Sequence, residues 1–146
     1  MNSANNLTTT IAVVTKDRPH LIGHLLEALT AQSLAPDEVV VVDNHSRVSY
    51  QEVFDAYRSR LPLRIFVETT PGIPAARNRA LREARGEIIA FTDDDCIPDP
   101  RWLEKIVEPF YRDPHIGAVG GHTTFFRGSG TFVERYYWAD REALQG

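Results

Sequence analysis

The chain has 146 residues, of which 42% are hydrophobic, and its formal net charge is −4. This length predicts one domain with a substantial core. The mildly acidic balance, without a block of five or six like charges, argues against a nucleic-acid partner. A single cysteine, Cys96, excludes an internal disulfide and fits a reducing compartment. Because no apolar run approaches the length of a membrane span, we expect a cytoplasmic protein that is at most peripheral to a membrane.

Short apolar runs alternate with helical patterns along the chain. The polar start, MNSANNLTTT, lacks the basic and apolar regions of a signal peptide, so residues 1–8 are predicted to be a disordered tail. Strands are predicted at 11–15, 38–42, 63–67, 87–91 and 118–124. Helices are predicted at 18–31, at 49–60, from Pro74 to a stop at Gly86, and after an Asp99–Pro100 cap. Residues 131–146 also have a helical pattern.

Valine-rich strands alternating with helices predict an α/β fold, a Rossmann-like and mostly parallel sheet with helices on both faces. We assign residues 9–126 to this domain and residues 127–146 to a region that the chain begins but does not complete. In such sheets ligands bind beyond the carboxyl ends of the strands. Residues just past a strand are therefore the candidates for a site. They are Thr15, Asp43 and the acidic cluster Asp93–Asp95.

The acidic cluster needs a compensating charge. Two carboxylates about 4 Å apart repel by roughly 4 kcal/mol at an effective dielectric constant near 20. A divalent cation removes this repulsion, and Mg²⁺ or Mn²⁺ prefers hard oxygen ligands. Because side chains two apart in an extended segment point the same way, Asp93 and Asp95 are predicted to face one cation, with Asp94 turned elsewhere and Cys96 pointing away from Asp95.

The acidic cluster has three other interpretations besides a site for a cation or substrate. A solvated turn with caps is the simplest of them. An EF-hand is excluded, because the required glycine and distal glutamate are missing. The segment DDDCI also resembles the motif of aspartyl-phosphate hydrolases, but those enzymes carry it on an early strand and this chain has it on the fourth. The position at the carboxyl edge of a buried strand favours a metal or substrate site.

Four segments, in order, resemble the amino-terminal half of family-2 glycosyltransferases, which have the GT-A fold. They are AVVTKDRPHLIGHLLEALTAQS, DEVVVVDNHS, TTPGIPAARNRALREARGE and IIAFTDDDCIPDPRWL. The resemblance covers about residues 9–124. It implies inverting transfer of a sugar from a nucleotide-diphosphate-sugar donor, with a UDP-sugar favoured and with Mn²⁺ or Mg²⁺ as the cofactor. The acceptor is not identified by any residue of this chain.

The resemblance also implies roles for six residues. These are Thr15 beside the nucleotide, Asp43 at the base or ribose, Arg77 at the base or phosphates, Asp93 near the ribose and on the metal, Asp94 between the two, and Asp95 as the main metal ligand. Each has a simpler alternative as an ordinary cap, turn or surface residue. For Asp43 the alternative is an Asx turn through Asn44 and Ser46.

The chain departs from the family pattern at two places. Lys16–Asp17 stands where the family commonly has a tyrosine–asparagine pair, and no Glu–Asp pair, which would carry the catalytic base, follows the acidic cluster. Two functions therefore stay open. The chain is a metal-dependent glycosyltransferase or its donor-binding part, or it is a non-catalytic nucleotide-sugar-binding module that lacks the acceptor half. An incomplete sheet would leave an apolar face uncovered, so we expect a homo-oligomer or a partner chain.

Overall fold

The computed structural model describes residues 7–128 and 131–137. The chain divides into two compact units. The first unit comprises the chain up to Gly23 together with Pro36–Asp94, and the second comprises His24–Ala35 and the chain from Asp95 onward. The boundary therefore falls inside the acidic cluster, between Asp94 and Asp95.

The first unit is built on a four-stranded sheet in the order β3-β2-β1-β4, with every pair of neighbours parallel. The strands are β1 (Thr9–Thr15), β2 (Glu38–Asp43), β3 (Leu63–Val67) and β4 (Ile88–Asp93). They alternate along the chain with helices α1 (Pro19–Thr30), α2 (Gln51–Tyr57) and α3 (Ile73–Glu83). This arrangement confirms the predicted α/β fold. The longest described helix has 12 residues, and no described helix has the length and apolarity of a membrane span.

Helix α3 covers one face of this sheet. Its small residues Ala76 and Ala80 are fully buried and pack against Ala12, Val40 and Val42 of the two central strands. Small side chains on the helix allow close approach to the sheet, and β-branched valines fill the pleated surface. Leu81, on the same helix, is 47% exposed. This packing fixes the rotation of α3 about its axis. It therefore also fixes the direction in which the first turn of α3 faces the edge of the sheet.

The second unit contains a three-stranded sheet in the order β5-β7-β6, one complete helix and the part of α1 from His24 onward. Its elements are β5 (Cys96–Pro98), α4 (Trp102–Arg112), β6 (His122–Gly128) and β7 (Thr131–Tyr137). Gln32 holds the start of α4: its amide donates to the Asp99 carbonyl at 2.8 Å and accepts from the Leu103 amide at 3.0 Å. The segment between the acidic cluster and α4 is thus held by hydrogen bonds to a residue of the same unit.

Two sequence predictions for the end of the chain were wrong. The sequence pattern predicts a helix over residues 131–146. Thr131–Tyr137 is instead a strand that pairs antiparallel with β6. The β-branched and aromatic residues of TFVERYY suit a strand, and cross-strand pairing overrides their helical spacing. The predicted strand at 118–124 begins instead at His122. Residues 1–6 of the predicted tail, and 129–130 and 138–146 of the predicted acceptor-side region, lie outside the described residues.

At the amino end of the first sheet, Glu38 is a buried carboxylate that the sequence did not single out. It accepts from the Thr10 hydroxyl at 2.6 Å and from Arg64 Nη1 at 2.8 Å. Burial alone would raise the pKa of Glu38, but these bonds and the Arg85 amide lower it overall. The carboxylate therefore stays charged and closes this edge of the sheet, opposite the predicted ligand edge.

Gly86 serves a different purpose from the predicted helix stop. Helix α3 ends at Glu83, and Gly72 is the one glycine of the described residues with positive φ. Gly86 instead lies against the start of β1. A Cβ atom at this position would lie 2.6 Å from the Thr10 amide nitrogen and 2.7 Å from the Thr9 carbonyl carbon. Only a residue without a side chain allows the chain to pass this close.

Gly86→Ala is therefore predicted to lower the free energy of unfolding by about 1–3 kcal/mol, the usual cost of overpacking. Gly23→Ala is the matched control, because a Cβ there meets nothing within 4 Å, and alanine favours a helix by about 0.5–1 kcal/mol. Urea denaturation of both variants measures the difference. Equal stability of the two variants would contradict the close approach at Gly86.

Candidate functional site

Three of the candidate residues share one edge of the first sheet. In the strand register Thr15 lies beside Asp43, and Val14 lies beside Asp93. Strand β4 runs two residues further than the sequence predicted, so Asp93 is its last residue. Parallel strands end together at one edge, and the structure places Thr15, Asp43 and Asp93 at that edge as predicted.

The acidic cluster alternates between outside and inside. The side chain of Asp93 is 54% exposed, Asp95 is half-buried, and Asp94 is 5% exposed. Ligand atoms of Asp93, Asp95 and Cys96 all lie within 4.8 Å of one another in this short stretch of chain. The predicted pairing of Asp93 with Asp95, with Asp94 turned elsewhere, is what the segment adopts.

The prediction for Cys96 was wrong. Its thiol lies 3.8 Å from Asp95 Oδ1 instead of pointing away. The chain turns after Asp93, so the alternation of an extended strand does not continue through Asp95. The donor set nevertheless fits a hard cation: two carboxylates supply oxygen ligands, and a protonated thiol is a poor ligand for Mg²⁺ or Mn²⁺. Asp93 and Asp95 are the residues that could hold such an ion.

Asp94 is directed into the first unit. Its Oδ2 accepts from the Thr15 hydroxyl at 2.8 Å, and its Oδ1 accepts from Arg18 Nη1 at 3.2 Å. Thr15 is 1% exposed, so its hydroxyl is buried as well. Both residues lie at the expected edge, but their polar atoms are used within the protein. A nucleotide contact for either side chain stays a prediction.

Arg77 faces the site from the first turns of α3. Its Nη2 lies 3.3 Å from Asp93 Oδ1, and the two side chains are 51% and 54% exposed. Such exposed ion pairs contribute about 0–1 kcal/mol. The pair therefore costs little to separate, and both groups can exchange their partner for a ligand. The sequence predicted both residues for the site without predicting that they pair with each other.

Asp43 forms the Asx turn that was the alternative to a ligand role, and the turn uses only one of its two carboxylate oxygens. Its Oδ1 accepts from the backbone amide of Ser46 at 3.0 Å and from the Ser46 hydroxyl, which is the Asx turn. Its Oδ2 has no hydrogen-bond partner among the described residues. The turn holds one oxygen and orients the other, so the carboxylate can still accept a hydrogen bond from a ligand.

Asn44 is a site residue that the sequence did not reveal. It is 3% exposed, and its amide nitrogen donates to the carbonyls of Glu68 and Thr70 at 3.1 and 2.8 Å. Its Oδ1 accepts from the amide of Gly72, the residue before α3, at 3.0 Å. One side chain thus fixes the loop that leads into α3 and Arg77. Asparagine after Asp43 was the only local signal.

A comparison of the sequence with protein families decides the membership. The sequence model described as "Glycosyl transferase family 2" matches residues 10–144. The chain belongs to glycosyltransferase family 2. Among curated relatives, Glycosyltransferase AglE of Haloferax volcanii is 35% identical over 116 residues, which is 76% of this chain and 38% of that protein. O-antigen biosynthesis protein RfbC of Myxococcus xanthus is 35% identical over 124 residues, 82% of this chain and 10% of its own length.

Solved structures give the same fold. Mannosyltransferase PcManGT of Pyrobaculum calidifontis, in complex with GDP-Man and Mn²⁺, matches with a TM-score of 0.71 and 29% identity over 83% of this family-2 chain and 37% of its own. TarS of S. aureus in complex with UDP matches with a TM-score of 0.64 and 30% identity over 73% and 32%. The fold of this family-2 chain is thus GT-A. The chain spans less than half the length of each of these relatives.

Asn44→Asp is predicted to destabilise the protein by about 1–3 kcal/mol, because two carbonyls lose their donor and a charge takes the place of a buried amide. Asn78→Asp makes the same chemical change at an exposed position of α3 and serves as the control. Thermal and urea unfolding of both variants give the comparison. If Asn44→Asp were as stable as Asn78→Asp, Asn44 would not be the support of the loop before α3.

Proposed function

We propose that this chain binds the nucleotide-diphosphate-sugar donor of an inverting, metal-dependent glycosyltransferase at the carboxyl edge of its first sheet. The observation that carries the proposal is the pair of accessible carboxylates, Asp93 and Asp95, with ligand atoms within 4.8 Å of one another. The domain assignment is part of the proposal: residues 9–126 bind the donor, and residues 127–146 belong to the acceptor side. A UDP-sugar is the favoured donor.

Electrostatics supports a cation at this position. Two adjacent carboxylates repel by several kcal/mol unless a positive charge lies between them. Two protein carboxylates also leave ligand positions for diphosphate oxygens, as is usual for Mg²⁺ sites. When bound, Mn²⁺ or Mg²⁺ acts as a Lewis acid that neutralises negative charge on the departing diphosphate. The neighbours PcManGT and TarS were solved with GDP-Man and Mn²⁺ and with UDP, respectively, which supports a nucleotide donor here.

In this proposal Arg77 and Asp43 are the residues that recognise the nucleotide of the donor. The planar guanidinium of Arg77 matches two phosphate oxygens or the edge of a base, and its weak pair with Asp93 is easily exchanged. Asp43 Oδ2 accepts from a ribose hydroxyl or a base N–H while Oδ1 stays in its turn. An inverting transfer also requires a base for the acceptor hydroxyl, and none of these residues is assigned that role.

Calorimetry tests the donor site. UDP, GDP and TDP are titrated into the purified chain with and without Mn²⁺, using the wild type, Asp95→Asn and Glu52→Gln. Glu52 is an exposed carboxylate on α2, so its variant makes the same change in net charge away from the site. We expect one nucleotide to bind in a Mn²⁺-dependent manner, with affinity lowered at least about tenfold by Asp95→Asn, as for a lost metal ligand, and unchanged by Glu52→Gln.

Wild-type affinity in Asp95→Asn would contradict the cation site. Incubation of the same samples with the matching nucleotide sugar separates a transferase from a binding module. Metal-dependent release of the nucleoside diphosphate, to water or to an added acceptor, identifies an enzyme. Binding without turnover identifies the chain as a donor-binding part.

A further inference from the structure

The buried middle carboxylate of the acidic cluster belongs to a closed ring of hydrogen bonds. The ring contains Asp94, Thr15, Tyr50 and Arg18, and all four residues lie in the first unit. The Tyr50 hydroxyl lies 3.0 Å from the Thr15 hydroxyl and accepts from the Arg18 amide at 2.8 Å. With the two bonds to Asp94, the ring connects the ends of β1 and β4 to the residues that directly precede α1 and α2.

The direction of every bond in the ring is determined. The Arg18 amide can only donate, so Tyr50 accepts from it. Thr15 gives its single proton to Asp94, because an ionised carboxylate only accepts. The bond between the two hydroxyls therefore has Tyr50 as its donor and Thr15 as its acceptor. Thr15 therefore has no proton left to donate to a nucleotide. An amide in place of the Asp94 carboxylate would have to donate at one of its two positions, which breaks this order.

The ring fixes the loop between β1 and α1. Asp17 in this loop has φ of 54°, a left-handed conformation that costs a non-glycine residue on the order of 1–3 kcal/mol unless its surroundings hold it. Thr15 and Arg18, on either side of the two loop residues, are both bonded to Asp94. The carboxylate thus holds both ends of the strained segment.

The loop is in turn connected to Asp43. The amide of Asp17 donates to the Ser46 hydroxyl at 2.9 Å, and that hydroxyl donates to Asp43 Oδ1. The Asp17 carboxylate also accepts from the Arg47 amide at 2.6 Å. A shift of the loop would therefore pull on the turn that orients Asp43. Hydrogen bonds and the backbone of the loop together thus connect Asp94 to the residue proposed to recognise the base or ribose.

We propose that Asp94 is a positioning residue for nucleoside recognition: it holds the β1–α1 loop, and through it Asp43, and contacts neither the cation nor the nucleotide. This inference rests on the proposed donor-binding function. It assigns different tasks to adjacent carboxylates. Asp93 and Asp95 bind the diphosphate through a cation, whereas Asp94 sets the geometry of the nucleoside end.

The test compares the binding of two probes, one that contains a nucleoside and one that does not. UDP with Mn²⁺ reports both ends of the site, and inorganic pyrophosphate with Mn²⁺ reports only the diphosphate end; GDP or TDP replaces UDP if the wild type prefers it. For Asp94→Asn we expect affinity for the nucleotide to fall about tenfold, as for one lost charge-assisted hydrogen bond, with pyrophosphate affinity unchanged. Asp95→Asn should lose affinity for both probes.

Tyr50→Phe is the second variant. It removes one hydroxyl from the hydrogen-bond ring but keeps the aromatic side chain, which stacks on Phe54 with 5.3 Å between the centroids. A positioning role predicts that it reproduces the selective loss of nucleotide affinity, and that the double variant with Asp94→Asn loses little more than either alone. If Asp94→Asn does not fold, the same selective loss in Tyr50→Phe supports the proposal and wild-type affinity overturns it.

The outcomes separate the two proposals. Loss of pyrophosphate binding in Asp94→Asn would make Asp94 a metal ligand and overturn the positioning role, while the donor site would stand. Unchanged nucleotide affinity in Asp94→Asn would also overturn it. A wild type that binds no nucleoside diphosphate would contradict the proposed function itself, and the positioning role with it.

Discussion

Mutual repulsion of three consecutive carboxylates is the constraint on which this site depends. The structure relieves it by separating the charges into different surroundings. Asp94 is turned inward, where a guanidinium and a hydroxyl compensate it. Asp93 is more than half exposed and forms a weak surface pair with Arg77, and Asp95 is half-buried with the Cys96 thiol 3.8 Å from its Oδ1. The proposed cation and diphosphate would compensate the charge of these two carboxylates.

The parallel sheet makes this division possible. Parallel strands end at one edge of the sheet, and β1 is paired with β2 on one side and with β4 on the other, so the end of β1 lies between the ends of β2 and β4. Strand alternation places Asp93 on the face of the sheet that α3 covers, where Arg77 meets it, and the turn after β4 directs Asp94 to Thr15 and Arg18. A shift of β4 by one residue would exchange these faces, and the carboxylates would lose their partners. The site is therefore a consequence of strand register as much as of residue type.

The sequence predicted the parts of this arrangement that follow from local pattern. Valine-rich runs, Pro19 and Pro74 placed the strands and helices of the first unit, and the sheet-edge rule selected Asp43 and the acidic cluster. Partners that come from distant positions were not predictable. Tyr50 and Arg18 have no local signal that they meet at Asp94, since the pairing depends on how the first turns of two helices approach the strand ends. Likewise, Gly86 matches a helix stop equally well until the position of β1 is known.

The strand at Thr131–Tyr137 illustrates the same limit for the second unit. Its spacing fits a helix, and only pairing with β6 and β5 makes it a strand. Tertiary contacts outweigh intrinsic preference in such short segments.

The most direct test of the account is a crystal structure of the chain with Mn²⁺ and the nucleoside diphosphate that it binds. We predict an ion held by Asp95, with Asp93 beside it and diphosphate oxygens completing its coordination, while Asp94 keeps its bonds to Thr15 and Arg18. An ion ligated by Asp94, with Thr15 and Arg18 released, would contradict the division of the three carboxylates.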